Sequence, residues 1–271
     1  MITNEAVVAN ETPVSEYHSY LALEEVLGAQ RPRTGEPDEM MFIVVHQVHE
    51  LWFKLLLHEL TVLQRRMTSG DTTGALHTLR RTLSILDVLT SPIDVMDTLT
   101  PAQFSRFRAK LGTGSGAQSR QFREIEALLG RRDRRAVECF AFGTEERTRI
   151  EAAMARPSVF DSLLRYLVVR GYPVPDQLLY RDVSQTLESS VQLQRVLATV
   201  YHDDGGSAQV CERLVEIDQR MQEWRYRHVS MVERIIGHKP GTGGSSGASY
   251  LRTTLTKPMF PDLWAMRNQL Q

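Results

Sequence analysis

The stretch Ile217-Asp-Gln-Arg-Met221-Gln-Glu-Trp224-Arg-Tyr-Arg-His228-Val-Ser-Met231-Val-Glu-Arg-Ile235 decides the fold class. Its apolar residues recur at alternating steps of four and three, and His228 falls in the same series. That spacing places Ile217, Met221, Trp224, His228, Met231 and Ile235 on one face of a helix. Such a face is expected to be buried, so His228 stands where a core residue belongs. A buried imidazole must satisfy two ring nitrogens. A hydrogen-bonded core histidine is one solution and a metal ligand is another. The helix leads into Gly241-Thr-Gly-Gly-Ser-Ser-Gly247. That run follows a helix and lacks a Gly-Lys-Ser/Thr ending, so it is no phosphate loop of the Walker type. Its plain reading is a flexible linker.

A second helix reads from Glu39 to about Met67, with Asp38 as its cap. Phe42, His46, His49, Phe53, Leu56 and Leu60 share one face by the same spacing. Met41, Val44, Val45, Leu51, Trp52 and Leu55 cover much of the rest. A helix apolar nearly all round belongs at the centre of a protein. His46, His49, Glu50 and Lys54 then need partners there. Zinc between His46 and His49 is conceivable, but the metalloprotease spacing His-Glu-x-x-His is absent.

Outward from these two helices the pattern stays helical. Ser15 can cap a helix carrying Tyr17, Tyr20, Leu21, Val26 and Leu27. Asp71 opens another through Leu89, and Thr100-Pro101 is a strong helix start. Phe104 and Arg108 share a face of that helix. An arginine beside aromatics usually lies on its own stem at the surface, but its fork also matches a carboxylate. Gly112-Thr-Gly-Ser-Gly116 forms a tight loop before a helix ending at Gly130. Arg131-Arg-Asp-Arg-Arg135 reads as a solvated turn or helix face. Further helices are expected near 144–154, 158–170, 183–202, 207–237, 248–256 and 261–270. No strand alternation or internal repeat appears. The expected architecture is an all-α helical bundle, one domain over residues 15–271, with residues 1–14 as a loose arm.

The 271 residues carry a formal net charge of -1, which gives no support for nucleic acid or an anionic membrane as partner. Cys139 and Cys211 are too few for a disulfide framework and suit a reducing cytoplasm. The N-terminus lacks the features of a signal peptide, and no uninterrupted apolar run approaches a membrane span.

Phe42-Ile-Val-Val-His-Gln-Val-His-Glu-Leu-Trp-Phe-Lys54 resembles the central helix motif of the tryptophan 2,3-dioxygenases. Trp224-Arg-Tyr-Arg-His228 and the glycine run that follows resemble their haem-ligand helix and substrate loop. Tyr17-His-Ser-Tyr-Leu21, Leu99-Thr-Pro101, Phe107-Arg108 and Ser115-Gly116 fit the same family in the same order, so the match spans roughly residues 15–265. The resemblance implies haem b with His228 as its iron ligand, and molecular oxygen as co-substrate. It implies His46 as the distal histidine facing an indole nitrogen, with Phe42 in the aromatic wall. It further implies Arg108 on the substrate carboxylate and Thr242 on ammonium and carboxylate, with Phe104, Ser115, Gly116 and Ala117 around the same pocket. Tyr17 and Tyr20 resemble residues that reach a neighbouring subunit's site in a homotetramer. No Cys-x-x-Cys-His is present, so haem would be held without covalent attachment.

The implied reaction is dioxygenation of the indole C2–C3 bond of L-tryptophan or a close derivative to an N-formylkynurenine-type product. Three positions depart from the family pattern: Phe104 where many members carry tyrosine, Gly114 where serine is common, and Ala117 where phenylalanine is usual. A small residue at 117 opens space. It motivates the alternative of a monooxygenase that turns a substituted tryptophan, such as a β-methyl one, into a 2-oxindole. A haem sensor without turnover is the alternative from another class.

Overall fold

The computed structural model describes residues 15–244 and 246–270. The expected arm, residues 1–14, lies outside the described residues. The rest is helical, with no strand among the described residues. Its centre is a pair of long helices, α3 (Pro37–Thr68) and α12 (Gly206–Ile236), with α4 (Thr72–Val88) packed against both. Ahead of them lie the short α1 (Glu16–Leu21) and α2 (Leu23–Leu27). Helices α5 (Ser91–Met96), α6 (Pro101–Arg108) and α7 (Arg120–Leu128) follow α4 and close one side. Helices α8 (Glu145–Met154) and α9 (Val159–Val169) pack on α7 and α3 respectively. The C-terminal half adds α10 (Asp176–Leu179), α11 (Val191–His202), α13 (Ala248–Arg252) and α14 (Pro261–Ala265). One continuous apolar core runs through these helices, from Val45 to Met266.

The stripe on α12 behaves as its spacing requires. Ile217, Met221, Trp224, Met231 and Ile235 are all buried. The caps also follow the sequence. Thr100 and Gln103 form a reciprocal capping box with Pro101 in the first turn of α6. Asp71 accepts from the Gly74 amide at the start of α4 (2.9 Å).

Other expectations need correction. The cap of α3 is Glu36, ahead of the expected Asp38 in sequence, because Pro37 with its fixed φ begins the helix. Nor is α3 covered all round: Val44, Leu51 and Leu55 are exposed, and Lys54 lies in solvent. This helix, though its apolar run is interrupted by His46, Gln47, His49, Glu50 and Lys54, is long and apolar enough to cross a membrane by length and composition, yet it packs against α4, α7 and α9. The helix expected over 183–202 begins only at Val191. Asp182 accepts the Ser184 amide (2.9 Å), an Asx turn that diverts the backbone. The buried Asp262 carboxylate then takes the Ser189 hydroxyl and the Ser190 amide, and Ser190 caps α11. The helix expected from Ser15 breaks at Ala22, which has φ 50°. The last expected helix divides into α14 and a 3-10 turn, Met266–Gln269.

Candidate active site

Two chambers open between α3 and α12, with about 910 Å³ and 850 Å³ of space counting their mouths. Organic ligands occupy cavities of roughly this size. Both are walled by His46, His228, Met96, Met231, Gly116 and Ala117, so they meet across the two histidines. The first chamber adds His49, Phe53, Phe122 and Trp224. The second adds Phe42, Phe104, Arg108 and Thr242. The structure thus brings together every candidate residue except Tyr17 and Tyr20. Those two are exposed on α1 (67% and 89%) and line neither chamber of their own chain.

His228 sits on the chamber side of the α12 stripe. The Trp224 ring one turn earlier stacks on it, with centroids 5.2 Å apart and planes 3° from parallel. Burial pushes the ring's pKa down to about 4, and the neighbouring His49 and His46 add to the effect. The imidazole is therefore neutral at pH 7. Neither ring nitrogen makes a hydrogen bond among the described residues.

His46 is fixed by its own helix. Its Nδ1 lies 2.7 Å from the Phe42 carbonyl, which can only accept, so Nδ1 carries the proton. Nε2 keeps a lone pair on the chamber side. Burial also lowers this ring's pKa, against the opposing effect of that hydrogen bond. Phe42 lies against His46 at 4.2 Å and against Phe104 and Phe107 at 5.9 Å and 5.6 Å. These rings form a rigid aromatic wall. His49 repeats the same bond with the Val45 carbonyl (2.9 Å), and its Nε2 is buried without a partner.

The polar end of the second chamber is built by two glycine loops. Arg108 Nη2 donates to the Pro240 carbonyl (2.6 Å), which ties the end of α6 to the start of the second loop. The Thr242 hydroxyl donates to the Gly114 carbonyl, which ties the two loops together. Only glycine fits at 243, because a Cβ there would stand 2.8 Å from the Ser115 Cβ. Gly247 has φ 64°, and a side chain would meet the Lys239 carbonyl at 2.7 Å. Ser115 is committed to the backbone: its hydroxyl accepts from the Ala117 amide, and Gln118 caps its own amide in return. Gly116 and Ala117 begin the 3-10 turn that follows.

Behind the first chamber lies a charge cluster that helical spacing alone does not expose. The Glu126 carboxylate accepts from Arg123 (2.7 Å), Arg225 (2.7 Å) and Arg131 (3.2 Å). Burial raises the Glu126 pKa, but the three guanidiniums outweigh it and hold the group ionised. Arg131 also pairs with Asp133, and the chamber lining itself carries Arg123 and Arg225 beside Glu50 and Glu126. The sequence reading also missed Met96, on the short α5, and Tyr250 and Leu251 on α13. Met231 and Trp224 were present in the stripe as core residues. Nothing in their spacing distinguishes a chamber wall from a packed core.

A sequence profile described as tryptophan 2,3-dioxygenase matches residues 3–166 and 175–270. A protein named tryptophan 2,3-dioxygenase from Anaeromyxobacter sp. (strain K) is 56% identical over 254 residues, covering 94% of this chain and 96% of the relative. The chain belongs to the tryptophan 2,3-dioxygenase family. Members with the same name from Herpetosiphon aurantiacus and Caulobacter vibrioides are 49% and 41% identical, each over 94% of this chain and 98% of their own length. The family is one of enzymes, and its all-helical architecture is the one seen here. The dioxygenase reading is favoured over the one-atom insertion and the sensor, which none of these relatives' names suggests.

Proposed function

We propose that this protein is a haem-dependent dioxygenase that opens the indole ring of L-tryptophan between C2 and C3, giving an N-formylkynurenine-type product. The observation that carries the proposal is His228: a neutral, unpartnered imidazole facing two chambers whose polar end holds Arg108 and Thr242. The residues present suit haem b. A neutral imidazole is a good iron ligand, and the largely apolar lining of the first chamber, with Val45, Phe53, Ile93, Met96 and Phe122, suits a flat aromatic cofactor. When bound, the haem iron activates molecular oxygen for addition to the substrate.

The chain's own residues then have distinct tasks. Arg108 has donors left beyond its bond to Pro240 and grips the substrate carboxylate as a fork. The Thr242 oxygen, donating to Gly114, still accepts from the ammonium group. His46 Nε2 accepts from the indole N–H, and Phe42 and Phe104 flank the ring. The two tied loops keep water from the reacting centre. Ser115, Gly116 and Ala117 shape the adjoining edge.

The active unit is a homotetramer in the cytoplasm. The exposed apolar residues of α3 and the solvent-facing Tyr17 and Tyr20 support contacts between copies, with the tyrosines entering a neighbour's chamber. The unpaired Cys139 and Cys211 support a reducing compartment.

Turnover of tryptophan under isotopically labelled oxygen tests the reaction. The expected product is ring-opened and carries two labelled atoms; a singly labelled 2-oxindole, or no product, overturns it. His228→Ala should abolish haem loading, read from the haem absorbance of purified protein. Full loading and normal activity would remove His228 as ligand.

A further inference from the structure

The charge run Arg131–Arg135, expected to be a solvated turn or helix face, has Arg134 and Arg135 exposed on a 3-10 turn and also lines a further cavity, of about 2020 Å³ counting its mouth. The C-terminal segment around Ser249–Pro261 forms the facing wall, and Phe160 and Leu187 contribute apolar floor. Six cationic residues line it (Arg131, Arg132, Arg134, Arg135, Arg181 and Lys257) against one carboxylate, Asp133.

The charges are not balanced by their surroundings. Arg131 pairs with Glu126 and Asp133, and Arg181 pairs with Asp161. Arg134, Arg135 and Lys257 make no ion pair among the described residues and extend into solvent at the rim. Arg132 differs from them. It is 7% exposed, and its donors go to the carbonyls of Val183 (2.9 Å), Arg156 (2.9 Å), Ala127 and Arg131. Carbonyl dipoles take its hydrogen bonds, and the carboxylate that acts on it, Asp161, is already paired with Arg181, so the fold fixes a buried cation without an ion pair of its own in this wall. Ser246 and Ser249 add hydroxyls to the same lining, whereas the Thr253 hydroxyl is already donated to the Tyr250 carbonyl (2.7 Å). Four cations without carboxylate partners repel one another and focus a positive potential in the concavity. A multiply charged anion removes that repulsion.

We propose that this cavity is a binding site for a small phosphate-bearing molecule. The rim cations receive its charge, the hydroxyls its remaining oxygens, and the apolar floor its organic part. The site is separate from the chambers at His228 but shares Tyr250 as a common wall. It does not depend on the haem reading.

Calorimetric titration of the full-length protein with pyrophosphate tests the proposal. Saturable binding that weakens as salt is raised is the expected result. The variant R134Q/R135Q/K257Q changes only exposed side chains that hold nothing else in place. It should keep its helical circular dichroism and bind pyrophosphate at least about tenfold more weakly, as loss of charge-assisted bonds requires. Absence of saturable binding to the native chain, or equal affinity in the folded triple variant, overturns the proposal.

Discussion

Single residues at this site are polarised by the bonds they make to the backbone. His46 is held in one tautomer by a carbonyl of its own helix, which leaves the other nitrogen as an acceptor. Arg108 uses one donor to tie a loop and keeps its others for a ligand, while Thr242 gives its one donor to Gly114 and keeps an acceptor lone pair. Arg108→Leu should therefore raise the apparent KM for tryptophan sharply, by the equivalent of about 2–5 kcal/mol for a buried charge left unmatched. Haem absorbance should stay normal; unchanged kinetics would contradict the carboxylate role. Glu126 is a structural counterpart. Removing the carboxylate that Arg123, Arg225 and Arg131 share, in Glu126→Gln, should cost about 3–5 kcal/mol in urea unfolding at neutral pH. The pH dependence has a defined sign. The folded pKa lies below the ordinary value of 4.5, so the native carboxyl holds its proton less well than the unfolded one. Its stabilisation is complete above pH 4.5 and is lost as pH falls through the lowered folded value. A glutamine variant should lose that part of the acid sensitivity.

At the scale of elements, the site is made where two helices and two loops converge. Helix α3 presents His46 and His49 and helix α12 presents His228, and α6 delivers Arg108 at its last turn. The glycine loops approach so closely that Gly243 and Ser115 leave no room for a methyl group. Gly243→Ala should push the loops apart and weaken tryptophan binding by about tenfold, since a small misplacement of binding groups is costly. Haem loading should not change, because neither loop carries the ligand; equal substrate affinity in the variant would show that the loops move freely. The helices themselves were legible because their periodicity is long and their caps are strong, as at Thr100 and Asp71. The start of α11 was not. Residues 183–190 have no breaker that ends a helix, and what holds them irregular is Asp262, far along the chain.

For the whole molecule, the exposed apolar residues of α3 are the clearest feature. Leu51 is 54% exposed and Leu55 37%, on a helix that otherwise anchors the core. Two leucines one turn apart in solvent favour association between copies. Leu51→Glu with Leu55→Glu should lower the mass measured by analytical ultracentrifugation, while circular dichroism stays helical. An unchanged mass would place the contact elsewhere. Sequence alone determined the all-helical class, the buried stripe on α12 and most candidate residues of the chambers. Each of those depends on spacing along one helix or on a short motif, and such information is local. Tertiary structure decided which faces are covered, where α11 begins, how the two glycine loops join, and that Arg123, Arg131 and Arg225 converge on Glu126. Arg123 and Arg131 are near neighbours of Glu126 in the chain, but Arg225 reaches it from 99 positions away and Thr242 reaches Gly114 from 128, so burial and electrostatic pairing there act between partners that no periodicity relates.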